Sequence, residues 1–337
     1  YNAGLDISLL NNRINFTVDY YFKKTNDLLQ NVLLPSSTGY RSRLVNSGHI
    51  TNEGLELTGM FYIIDNNDFK FDINANISFN RNKIGGLDYD QFAADLWNNA
   101  KGVFIQRNGM PMGAIYGFVE DGFYNNEAAV RADPNYRNLS DNEIRAMIGE
   151  IRSRNFDDDP EINDSDRRII GDTNPDFTYG LTTNFSWKGI SLSLFFQGMY
   201  GNDIFNANLM NITMESLANI TKDAYDNRWT PDNYENAKWR RATMTMTRSM
   251  KVSDRYVEDG SYRKLKTLTL GYTFNPKWKG VSSIHVYGNI NNVFTLTKYS
   301  WFDPDVNAFG NDASRRGVDI FSYPASRTFS FGFNLVF

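Results

Sequence analysis

The chain ends Arg327-Thr-Phe-Ser-Phe-Gly-Phe-Asn-Leu-Val-Phe337. Phe329, Phe331, Phe333, Leu335 and Phe337 fall on one face of an extended backbone, and Thr328, Ser330, Gly332 and Asn334 fall on the other. Successive side chains of a strand point to opposite faces, so strict alternation makes one apolar and one polar side. A soluble sandwich would turn the apolar side to a core. A side that is aromatic up to the final carboxylate suits a transmembrane barrel better, with lipid outside and water inside.

The same pattern recurs upstream. Ala3, Leu5, Ile7 and Leu9 alternate with Gly4, Asp6 and Ser8, and Asn11-Asn12 makes a short turn into Ile14, Phe16, Val18, Tyr20 and Phe22. Leu55, Leu57, Phe61 and Ile63 precede the turn at 65–68. Phe69, Phe71, Ile73, Ala75, Ile77 and Phe79 then alternate with Lys70, Asp72, Asn74, Asn76 and Ser78. Phe177 to Trp187 leads through Lys188-Gly189 into Ile190, Leu192, Leu194 and Phe196, and two further runs cover 268–274 and 284–290. Amides buried against a packed core each need partners. Against a water-filled lumen they cost little, so these runs predict a barrel wall.

Composition agrees with this class. Over 337 residues, 41% are hydrophobic and 15% aromatic, and the mean hydropathy is −0.49. No run reaches the roughly 20 apolar residues of a membrane-crossing helix, whereas a crossing strand needs only about 9–11, half of them polar. The absence of cysteine is compatible with an oxidising compartment. A net charge of −4 gives no reason to expect a nucleic acid partner. Residue 1 opens on a strand-like stretch with no basic and apolar leader, so a secretory signal is expected outside this chain.

Loop lengths orient the strands. Short turns fall near 11–12, 65–68, 188–189 and 275–282, and long excursions near 23–50, 81–175, 201–260 and 297–326. Outer-membrane barrels place short turns in the periplasm and long loops outside. The first and last strands then both descend, which gives an odd number of about nine. Single-chain bacterial barrels have even numbers, so the chain reads as the C-terminal part of a larger barrel. The excursions are too long to be bare connectors. Ser140-Asp-Asn-Glu143 has capping-box spacing before Ile144, Met147, Ile148 and Ile151, which predicts a helix over 141–153. Residues 208–225 read as partly helical. Ala114 to Tyr124 reads as strand, placed in the extracellular layer because one extra wall strand would break the parity.

An acidic stretch from Asn155 to Asp166 has the spacing of a calcium loop. Asn155, Asp157, Asp159 and Asp166 stand at positions 1, 3, 5 and 12, with the Glu161 carbonyl at position 7. Pro160 occupies the position where a glycine makes the sharp turn, so a solvated acidic loop is the competing reading. The two histidines, His49 in a glycine-containing loop and His285 in a strand, have no local nucleophile or acid pattern around them. No Gly-x-Ser-x-Gly elbow, Walker loop or dinucleotide fingerprint occurs, so no enzyme and no organic cofactor are expected. Trp97, Trp229, Trp239 and Trp301 in the excursions either stack on sugar rings or pack the loops together.

The chain resembles the SusC/RagA type of TonB-dependent transporter from outer membranes of Bacteroidota. The stretches that carry this span nearly its whole length. They are Gly4-Leu-Asp-Ile-Ser-Leu-Leu-Asn-Asn-Arg13 with Asp19 to Thr25, Gly113-Ala-Ile-Tyr-Gly117, and Ile169 to Gly180. Phe195-Phe-Gln-Gly198 with Gly201 to Ile204, Arg228-Trp-Thr-Pro231, Glu258 to Tyr262 with Leu270 to Thr273, and Phe294 to Tyr299 with Asp303-Pro304 complete the set. The resemblance implies a 22-stranded barrel with an N-terminal plug that this chain lacks, energised through TonB. It further implies a SusD-type surface lipoprotein as lid, and a cargo of oligosaccharides or peptides. The terminal aromatic strand, with Phe329, Phe331, Phe333 and Phe337, resembles the signal read by the barrel-assembly machinery, and the outer face implies contact with lipid or lipopolysaccharide. A passive porin, and a surface-binding barrel component without transport, are the alternatives.

Overall fold

The computed structural model describes residues 1–33, 36–40, 42–96, 101–157, 159–214, 219–243 and 251–337. Nine long strands form one sheet in chain order: β1 (Asn2–Leu9), β2 (Ile14–Asn26), β3 (His49–Asp65), β4 (Phe69–Gly85), β5 (Phe177–Trp187), β6 (Ile190–Tyr200), β7 (Tyr262–Phe274), β8 (Ser283–Thr297) and β9 (Thr328–Val336). Every neighbouring pair is antiparallel. Among the described residues β1 and β9 are the two ends of this sheet and do not pair with each other.

The register keeps the apolar residues of neighbouring strands on one shared face across the sheet. Ile73 lies opposite Thr183 and Phe61, Phe71 opposite Phe185, and Leu192 opposite Leu270. Gly288 and Val286 lie opposite Phe331 and Phe333. Phe71 and Phe185 stack with centroids 4.4 Å apart and planes 6° apart. This face is uncovered: Phe331 is 87% exposed and Leu270 52%. The opposite face is a ladder of hydrogen bonds. Asn184 Nδ2 donates to Asp72 Oδ2 at 2.8 Å, Ser193 Oγ to Asn184 Oδ1 at 2.7 Å, and Thr269 Oγ1 to Asn289 Oδ1 at 2.9 Å.

Aromatic rings gather at both ends of the apolar face. Phe177 sits between Phe79 and Tyr200, at 5.8 and 5.3 Å. At the other end stand Trp187 and the stacked pair Tyr272–Phe274. Phe177 and Trp187 are separated by the length of β5, about 33 Å along the strand. A tilt of about 40° reduces this to about 25 Å, the height of the apolar band of an outer-membrane barrel between its aromatic girdles. The turns fit the same plan. Leu10, Asn11 and Asn12 take positive φ of 54, 55 and 63°. Lys188 and Gly189, at 47 and 89°, form the two-residue reversal that matches strand twist; a Cβ at Gly189 would lie 2.5 Å from the Thr273 carbonyl oxygen.

The strands run further into the long-excursion side than their alternation indicates, and His49 begins β3 instead of lying in a loop. The excursions narrow to 27–48, 86–176, 201–261 and 298–327. The first contains a hairpin, Leu29–Leu33 with Ser42–Asn46. The other three fold on one another around the main hydrophobic core, with Val103, Phe104 and Ile115 from one, Phe205, Met210 and Tyr256 from the next, and Val318 from the last. Ala114–Gly117 pairs with Arg168–Asp172 and with Phe104–Gln106, outside the wall, as parity requires. Helix α1 (Glu127–Ala132) packs against α2 (Asp141–Met147) through Val130, Ile144 and Met147, under Tyr124. Helices α3 (Ala207–Met214) and α4 (Lys222–Asp226) account for the helical reading of 208–225.

Helix α2 has the predicted capping box, with Ser140 N donating to Glu143 Oε2 at 2.9 Å and the Ser140 side chain accepting from Glu143 N. It stops at Met147, short of the expected 153. Gly149 takes φ +84°, and Ile151–Ser153 turns into a strand paired with Glu120–Phe123. A left-handed glycine just past the last turn ends a helix whatever the periodicity beyond it.

Candidate functional site

The outer layer contains a cleft of about 700 Å³, within the range of ligand pockets. Its walls come from three excursions: Glu120 on one side; Asp223, Lys238, Trp239, Asp254, Arg255 and Glu258 from the next; Ser300 and Trp301 from the last. Most of these groups are fixed before any ligand arrives. Trp239 Nε1 donates to Asp223 Oδ2 at 2.7 Å. Arg255 Nε donates to Glu120 Oε2 at 2.7 Å, and its guanidinium lies 5.6 Å from the Trp239 ring centre. Glu120 also accepts from Ser253 Oγ at 2.6 Å. Glu258 receives Ser300 N and Ser300 Oγ, both at 2.8 Å, and Asn206 Nδ2 at 2.7 Å. Trp301 differs: its Nε1 is buried and finds no acceptor, while its ring meets Phe302 edge to face at 5.1 Å. Four carboxylates against two cations leave the lining acidic, with two indoles to stack on.

Side chains of opposite charge tie the excursions together beneath this cleft. Glu150, 3% exposed, pairs with Arg240 at 3.2 Å and Arg241 at 3.6 Å. Arg241 Nη2 also donates to the Ala146 carbonyl near the end of α2 at 2.6 Å, which suits a cation at a helix C-terminus. Lys264 of β7, almost fully buried, binds Asp303 at 2.6 Å. Tyr299 donates to Asp319 Oδ2 at 2.7 Å, and its burial together with that carboxylate pushes the phenol well above its ordinary range. Leaving one partner of such a buried pair alone costs the desolvation of a charge. The outer layer is therefore a built unit.

The sequence-predicted residues fall as follows. Trp229 is a packing residue: it is 8% exposed and its Nε1 donates to Asn125 Oδ1 at 2.8 Å. Trp239 and Trp301 line the cleft, and Trp97 lies outside the described residues. His49 packs its ring on Gly85. His285 faces Thr273 Oγ1 through Nδ1 at 2.7 Å and stacks on Tyr287. Neither meets a nucleophile–acid pair, and the two sit on different strands of the wall. Phe329, Phe331 and Phe333 are exposed on the apolar face of β9, with Phe337 84% exposed just beyond it.

The acidic loop is held by its own hydrogen bonds. Asn155, Asp157 and Asp159 each use Oδ1 to accept the amide two residues on, at 3.1, 3.2 and 2.7 Å. Asp159 Oδ2 receives Asn163 Nδ2 at 3.1 Å, and Asp157 Oδ2 receives the Ser165 hydroxyl. Asp166 is fully buried, with Oδ1 on Phe156 N at 2.7 Å and Oδ2 on Asn163 N at 3.0 Å. The Glu161 carbonyl faces Asn163 Nδ2 at 3.4 Å. These oxygens all accept hydrogen bonds within the loop, and among the described residues no three acidic side chains gather as a metal cage. Asp158 lies outside the described residues.

The Arg255–Glu120 contact joins residues 135 positions apart, and no local signal announces it or the unpaired Trp301 nitrogen. Comparison with known proteins gives the context. No family model matches the chain. A TonB-dependent receptor, P3, of Formosa agariphila is 34% identical over the whole of this chain, which covers 34% of that protein. The TonB-dependent receptor SusC of Bacteroides thetaiotaomicron is 27% identical, again over the whole chain and 31% of its own length. Among solved structures, that of the RagAB peptide transporter superposes over 99% of this chain and 34% of its own, with TM-score 0.74 and 25% identity. The chain therefore spans about a third of the length of the relatives it matches.

Proposed function

We propose that this chain belongs to a SusC/RagA-type TonB-dependent transporter, supplying nine wall strands and a ligand-facing outer layer for energised import of a large nutrient across the outer membrane. The observation that carries the reading is the open sheet. A nine-stranded wall with an apolar face and, among the described residues, two unpaired ends leaves amides without partners in lipid, each at a cost of several kcal/mol. The rest of the wall, the plug that closes so wide a lumen, and the contact with TonB then belong to the remainder of the protein.

A SusD-type lipoprotein would close over the outer layer, and an oligosaccharide or peptide would enter beside the cleft. Trp239 and Trp301 offer flat apolar faces for a sugar ring or an aromatic side chain. The relatives are named receptors and transporters, and the chain's reading follows them rather than an enzyme's.

The test is uptake by cells that carry the intact transporter as their sole copy, with labelled oligosaccharides and oligopeptides supplied separately. Uptake should stop on collapse of the proton-motive force and on removal of TonB. Solute entry that persists in de-energised cells would overturn active transport in favour of a porin.

A further inference from the structure

We propose that the outer face of β5–β8, at the long-excursion end, seats a phosphate-bearing lipid of the surrounding leaflet, with Arg263 and Lys298 binding its headgroup. The proposal rests on the reading of this face as lipid-facing. A β-bulge creates the seat. Phe195 pairs with Thr267 but Phe196 pairs with Leu265, so Lys266 is an extra residue that inverts the alternation of β7. Without it, Arg263 would share the lumenal side of Thr267 and Thr269. With it, Arg263 stands opposite Gly198 and Leu296, on the apolar face. Lys298 is the next residue of that face beyond Leu296.

Arg263 and Lys298 line one cavity of about 600 Å³ with Phe177, Tyr179, Tyr200 and Leu296. The aromatic side is ordered: Phe177 and Tyr200 stack at 5.3 Å. Tyr179 lies across Gly198, where a Cβ would stand 2.4 Å from its ring. Neither cation makes an ion pair with the protein among the described residues. At Asp259, the acid of this cavity, burial opposes ionisation, but hydrogen bonds from Ser261, with its N–H at 2.9 Å, and the nearby charge of Lys298 hold the carboxyl below its ordinary range. Both flanking neighbours of β6 and of β7 belong to this chain, so the face is complete here whatever closes the rest of the wall.

A cation aimed at lipid is tolerated only near the interface. Arg263 is the second residue of β7 and Lys298 follows the end of β8, which puts both at that level. From Leu296 in the cavity the exposed greasy face continues through Phe294, so acyl chains run on where the headgroup stops. A soluble anion would gain the two charges and leave that floor bare.

The experiment uses the intact transporter extracted from outer membranes, with bound lipid phosphate counted by native mass spectrometry. Wild-type protein should retain lipid. The double variant R263Q/K298Q should lose it, because each charge-assisted contact is worth roughly tenfold in affinity. The assembled fraction, read from heat-modifiable gel mobility, should not change. The variant K101Q, which removes an exposed cation elsewhere in the outer layer, should retain lipid as wild type does. Added diphosphorylated lipid A should rebind, and its dephosphorylated form should not. Equal lipid retention in the double variant, equal loss in K101Q, or displacement by millimolar inorganic phosphate would each overturn the proposal. The readout uses purified protein and stands apart from any result on uptake.

Discussion

At the residue scale, one position on a wall strand differs from the next by which solvent it meets. Ile73 lies mid-strand on the apolar face, between Phe61 and Thr183, and Asn74 points the other way beside Met60 and Thr182. Ile73→Arg should cost about 2–4 kcal/mol of barrel stability near mid-membrane, and Asn74→Arg should cost little. Urea unfolding of the assembled barrel in detergent or lipid checks this, and equal costs would reject the facing. The acidic loop makes an opposite kind of test. Since Asn163 and Ser165 occupy the oxygens of Asp159 and Asp157, millimolar Ca²⁺ should leave the melting profile unchanged. Calorimetric binding that is lost in Asp157→Asn would show that these two donors swing away for a cation.

At the element scale, the loops hold their shape by caps and buried pairs rather than by length of secondary structure. Ser140→Ala removes the Oγ half of the α2 capping box, leaving the residue-140 amide on Glu143, and should cost about 1 kcal/mol locally. Gly149→Ala should cost more, because φ is +84° and the new Cβ would stand 2.7 Å from Trp229 and 2.9 Å from Arg241. Hydrogen exchange over 141–153 is the suitable measurement, since a large assembled barrel does not melt as one two-state unit. Exchange that is unchanged in both variants would mean that α2 is held by Glu150 and its arginines alone. The capping box was legible because four adjacent residues make it. The helix end was not, since Ile144, Met147, Ile148 and Ile151 keep helical spacing across Gly149, whose positive φ belongs to the folded structure.

At the scale of the whole molecule, we predict that β9 governs assembly. Its outer edge faces no strand among the described residues, and in lipid it must meet the first strand of the complete wall. Deleting Phe337 should lower the amount of transporter in the outer membrane while leaving the affinity of the assembled molecules unchanged. Quantitative blotting alongside ligand binding on the same membranes separates the two. A normal amount of protein with weakened binding would move Phe337 from the assembly signal to the site.

Sequence alone determined the wall, its strand count and its two faces. Period-two alternation is local, and a strand between lipid and water has one face for each, so Phe69 to Phe79 already says which side chains go where. Turn residues did the same for Asn11-Asn12 and Lys188-Gly189. Only the tertiary structure decided the outer layer. Its core joins Phe104, Phe205, Tyr256 and Val318, and its cleft joins Glu120 to Arg255 and sets Trp301 beside Trp239. Such contacts depend on which excursion lies against which, and no spacing within one excursion records that. The bulge at Lys266 belongs with them: alternation reads Arg263 as lumenal, and pairing with β6 turns it outward.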